Sequence, residues 1–140
     1  MSAVVPAYRP ADGRWHAFGM PLFTVAEARA ELARLRPTLD RLVAVRADAA
    51  ELAASLGPGG TPTPLGGVPE LKAAEALLDE LITSVQDTGA HLKGLAPLLL
   101  DFPASLEGQD VLLCWLEGDE GIGWYHRIDL GFAGRRPLSS

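Results

Sequence analysis

The sequence predicts an α+β domain, a long antiparallel helical hairpin of coiled-coil type with a small antiparallel sheet packed against it. Three observations carry the prediction. Two stretches repeat apolar residues at alternating intervals of three and four, and a segment rich in Pro and Gly separates them. After Gly89 the helical period gives way to short apolar runs punctuated by turn residues.

The first helix is expected over residues 24–56. Thr24-Val25-Ala26-Glu27 has the form of a capping box, in which the hydroxyl accepts from the Glu27 amide and the glutamate reaches back. Ala28, Leu32, Leu35, Leu39, Leu42, Ala49, Leu52 and Leu56 then form one apolar seam, with charges such as Arg34, Asp40 and Asp48 on other faces. Pro37 removes one backbone donor, but the seam continues in phase beyond it, so a kink is expected and not an end. Arg46 falls on the seam, where its stem would pack and its head would reach water.

Residues 57–69 (GPGGTPTPLGGVP) cannot propagate a helix and read as a flexible link. They lack the Gly-Lys-Ser/Thr ending of a phosphate-binding loop. A second helix is expected over 70–88, with the seam Leu71, Ala74, Leu78, Leu81, Val85 and Thr88 and Gly89 as its cap. Two seams of matching period imply a helical hairpin and favour a homo-oligomer, most simply a dimer.

Residues 90–93 read as a short strand. Leu95 to Leu100 is an apolar run ending in a turn at Asp101-Phe102-Pro103. A β-hairpin is expected over 110–129, its strands joined by the polar loop Glu117 to Gly121, and a terminal turn over 130–138. Alternation puts Ile122, Trp124, His126 and Ile128 on one face, expected to cover the apolar side of the helices. Residues 1–22 have no regular period and read as a flexible extension; an arm docking Trp15 and Phe18 in a groove is the alternative.

Composition narrows the function. A hydrophobic content of 48% fits a packed core, and a net charge of −6 argues against nucleic acid and against a polybasic membrane surface. One cysteine cannot form an intramolecular disulfide, and no signal peptide or membrane-spanning run is evident, so a cytoplasmic location is expected.

His126 is the leading candidate for chemistry, because an imidazole on an apolar strand face needs a hydrogen-bond partner or a metal. Asp129 lies three residues on, and Glu27 and Glu31 of the first helix are further expected partners; Glu75, Asp79 or Asp101 could also complete a set. A mixed His/carboxylate set would suit Fe, Mn or Zn. Arg135 and Arg136 could clamp a carboxylate or phosphate, or simply pair with acidic helices. Cys114 reads as a buried inert thiol. The expected function is a small ligand- or metal-binding protein, with enzymatic activity left open, in which His126, Asp129 and Arg135 carry any catalysis. The alternative is a non-catalytic interaction module working through its helices.

Several segments together resemble one bacterial family. They are Phe23-Thr24-Val25-Ala26-Glu27-Ala28, Asp101-Phe102-Pro103, Leu113-Cys114-Trp115, Trp124-Tyr125-His126 and Asp129-Leu130-Gly131-Phe132-Ala133-Gly134-Arg135. In this order, across about Leu22 to Leu138, they resemble the family catalogued as domain of unknown function 2203. The resemblance implies a fold and no activity.

Overall fold

Helix α1 (Val25–Leu56) begins where the capping box requires. Thr24 donates its backbone N–H to Glu27 Oε1 at 2.8 Å, and Glu27 N–H donates to Thr24 Oγ1 at 3.0 Å. Two of the amides that an α-helix leaves bare at its start are thereby satisfied. The computed structural model of the chain describes residues 22–139. Within them are a second helix α2 (Val68–Gln86) and strands β1 (His91–Leu95), β2 (Leu98–Leu106), β3 (Gln109–Leu116), β4 (Trp124–Arg127) and β5 (Arg136–Pro137). The fold is α+β. No helix among the described residues is long and apolar enough to cross a membrane.

The described residues divide into two compact units, the first of residues 22–34 and 85–139 and the second of residues 35–84. Pro37 sits inside an uninterrupted α1, just past the point where the helix leaves the first unit for the second. In the second unit Leu35, Leu39, Leu42 and Leu52 are buried, and so is Leu81 of α2. Arg46 is half-buried on the same seam. The link between the helices is held by its own hydrogen bonds. Thr63 Oγ1 donates to the Glu51 carboxylate, and Gly67 N–H donates to Glu70 Oε1 at 2.8 Å, capping α2 two residues earlier than the periodicity predicts. Gly60 is required here, because a Cβ would lie 2.3 Å from the carbonyl oxygens of Ala54 and Ser55.

The other unit is a five-stranded antiparallel meander in chain order. The expected turn at Asp101-Phe102-Pro103 is instead the middle of β2, the longest strand. Pro103 is tolerated because its carbonyl points away from β3 and accepts from Phe23 N–H at 2.7 Å. The N–H it lacks would point to the same side, so the ladder to β3 loses nothing. The turn lies further on, at Glu107-Gly108, where φ values of 51° and 79° close a two-residue hairpin between Leu106 and Gln109. Two left-handed residues match the twist of the flanking strands.

The sheet has two faces. Leu98, Leu100, Phe102 and Ala104 of β2 share one with Val111, Leu113 and Trp115 of β3, all at most 3% exposed. The Phe23 ring meets Phe102 edge-on at 5.3 Å, and Ala28 and Leu32 of α1 are buried with them. Each such large side chain contributes about 1.5–3 kcal/mol by leaving water. Tyr125 pairs with Leu113 and so belongs to this helix-covered face. His126, one residue on, belongs to the opposite face. That reverses the expected facing of β4, since alternation fixes the order of faces but not which one meets the helix. The strand is also shorter than expected, leaving Ile122 outside it and Ile128 36% exposed.

Candidate functional site

The face away from α1 carries the polar centre. The register aligns Asp101 of β2 with Cys114 of β3 and Trp124 of β4, and in the next row aligns Pro103, Leu112 and His126. Asp101 and His126 are 3% and 4% exposed, and Cys114 is 1% exposed. His126 Nε2 lies 3.4 Å from Asp101 Oδ2, while Nδ1 lies 3.0 Å from the Arg127 carbonyl oxygen. A carbonyl only accepts, so the network assigns a proton to Nδ1. Nε2 and Oδ2 therefore share at most one further proton, either as imidazolium and carboxylate or as imidazole and carboxylic acid. The second oxygen, Asp101 Oδ1, is buried and has no hydrogen-bond partner among the described residues.

Burial raises the Asp101 pKa above its ordinary value of 3.8, and the nearby charges of His126 and Lys93 oppose that rise. Burial likewise pushes the Cys114 thiol up to about 12, reinforced by Asp101 and opposed by Arg135. A thiol in that state is no nucleophile near neutrality.

Arg135 occupies the edge of the same face. Its guanidinium carbon lies 4.6 Å from the centroid of the Trp124 ring and 4.3 Å from that of Phe132. Two aromatic rings hold the planar group, and no acceptor among the described residues takes its side-chain N–H donors. A guanidinium placed this way is pre-organised for a planar oxyanion.

The structure brings together His126, Asp101 and Cys114, with Arg135 beside Trp124, and places the other candidates elsewhere. Asp129 forms a two-pronged pair with Arg127 at 2.7 and 3.1 Å in an exposed position. Glu27 closes the capping box, and Glu31 accepts from Arg34 Nε at 2.7 Å. Among the described residues no three His, Cys, Asp or Glu side chains converge as metal ligands. The acidic hairpin loop serves the backbone: Glu117 accepts from Leu98 N–H and Asp119 from Leu116 N–H. Asp101 carried a signal of its own in the sequence, an acid inside the apolar run from Leu98 to Phe102.

On the helix side, a cleft of about 770 Å³ is lined by α1, the β2–β3 turn, Tyr125 and the C-terminal segment. Arg29 stands in its wall and donates from Nη2 to the Ile122 carbonyl at 3.1 Å.

No curated protein and no solved structure matches the chain. A family model described as Uncharacterized conserved protein (DUF2203) matches residues 21–138, and the chain belongs to that family.

Proposed function

We propose that this chain is a small cytoplasmic ligand-binding protein whose polar centre is the Asp101–His126 pair, with Arg135 as its anion-binding group. The observation that carries this reading is the buried Asp101 Oδ1, which has no hydrogen-bond partner among the described residues while Oδ2 faces an imidazole. Leaving a buried acceptor unsatisfied costs about 1–3 kcal/mol, and native folds rarely tolerate it without a use. A ligand N–H or O–H at Oδ1 would remove that cost. The pair also holds a movable proton, so the same site is equipped for general acid–base catalysis. The organic-ligand form is favoured over a metal, because Fe, Mn or Zn at His126 would need ligands beyond those that converge there among the described residues.

Thermal-shift measurements on tag-free protein against small carboxylates and phosphate esters test this. A compound that raises the melting temperature of the wild type, but not of Asp101→Asn or Arg135→Gln, is the expected result. Variants that respond as the wild type does would remove the site. Elemental analysis decides the metal form: near-stoichiometric Fe, Mn or Zn lost in His126→Ala would replace the organic ligand by a metal.

A second reading, a helical interaction module that dimerises, draws on Leu56, Leu65 and Val68, which are 45%, 37% and 52% exposed. Light scattering tests it. A strict monomer at high concentration counts against dimerisation.

A further inference from the structure

We infer that the cleft on the helix side of the sheet is a separate binding site for a small organic monocarboxylate with an apolar body. At about 770 Å³ it falls within the usual range for small-molecule sites, roughly 300–1,000 Å³. Val25, Leu106, Val111 and Leu138 give it apolar wall, and Tyr125 adds a phenol. Arg29 is the single cation among the described lining residues. Its Nη2 bond to the Ile122 carbonyl anchors the side chain, and no carboxylate among the described residues neutralises it. The rest of its donor fork is thus positioned and unspent, the condition under which a guanidinium binds a carboxylate through two parallel bonds. Glu107 also lines the cleft and has no cation paired with it among the described residues. One positive and one negative group oppose a dianion such as phosphate and leave a monoanion favoured. The site stands apart from the Asp101–His126 centre, because Tyr125 and His126 belong to opposite faces of β4.

Octanoate is the probe, with octanamide as its neutral counterpart, each titrated into the full chain and followed by the amide resonances in a nitrogen–proton NMR spectrum. Octanoate should shift Val25, Ala26 and Leu106, and octanamide should bind about tenfold more weakly, the value of one charge-assisted contact. Arg29→Gln should weaken octanoate by about the same factor, and Ala26→Trp, which fills the cleft, should abolish binding. Equal affinity for octanoate and octanamide overturns the proposal. So does an absence of shifts at the cleft, or shifts at Trp124 and His126 in their place. If Arg29→Gln loses its native spectrum, the comparison of the two probes on the wild type still decides.

Discussion

Replacing Asp101 by asparagine should make this protein more stable at neutral pH, although the substitution removes one half of a buried pair. Asp101 is 3% exposed, and its Oδ1 has no donor among the described residues. Holding a charge away from water without a full set of donors costs more than holding a neutral carbonyl oxygen in the same place. An amide keeps the shape and discards the charge. Its N–H can donate to His126 Nε2, which is bare in the neutral ring because Nδ1 already holds the proton facing the Arg127 carbonyl. The expected gain near pH 8 is about 1–2 kcal/mol, or a rise of about 4–8 °C in melting temperature. The gain should depend on pH. Burial holds the Asp101 pKa above 3.8, so the native state favours the protonated acid. Its contribution to stability is complete below 3.8 and is lost as the pH climbs through the raised value. Wild type and variant should therefore converge in acid and separate as the pH rises. Urea unfolding of both proteins at several pH values measures the difference directly. A loss of about 3 kcal/mol or more near pH 8 would refute the reasoning, because it would make Asp101–His126 a structural ion pair that the fold depends on. A gain of the same size at every pH would refute it too, since the charge would then play no part.

Other consequences follow from the same geometry. Cys114, 1% exposed with its thiol pushed up to about 12, should resist iodoacetamide in the native protein and alkylate fully once unfolded, as mass spectrometry would show. Phe102→Ala deletes a fully buried ring packed on Phe23 and should cost about 3–5 kcal/mol in urea unfolding. Thr24→Ala opens the capping box and should cost about 1 kcal/mol in the same assay. Gly60→Ala sets a Cβ against two carbonyl oxygens and should destabilise by more than about 1 kcal/mol.

Local signals made the helices legible. A capping box, a seam and a Gly/Pro link each depend on residues close in sequence, and the structure places α1 at the box and buries Leu32, Leu35, Leu39, Leu42 and Leu52 of its seam. β2 was hidden because its rule is not local. A proline inside an apolar run normally marks a turn or an edge. Pro103 escapes that rule only because Phe23, eighty residues earlier, supplies the partner on the side where the missing N–H would point. Once Pro103 is read as part of a strand, Glu107-Gly108 becomes the turn, and the two apolar runs on either side become a hairpin.

The site was legible in part for the same reason. His126 could be singled out from its own strand, but its partner is chosen by register across three strands. Asp101 and His126 belong to β2 and β4, which flank β3 and lie about 9–10 Å apart at ordinary strand spacing. Their side chains nevertheless close to 3.4 Å, so both lean over β3. The β3 residue in the row of Asp101 is Cys114, one of the smallest apolar side chains available. Cys114 is buried with its thiol pKa pushed up, and its small size has a further consequence, because it leaves the room in which a carboxylate and an imidazole can meet. The neighbouring residue of β3 in the other row, Leu112, is 8% exposed and takes no part in polar bonding. A long side chain in place of Cys114 would hold the pair apart. What the sequence shows as a lone cysteine beside a tryptophan is, in the fold, the clearance on which the candidate site depends.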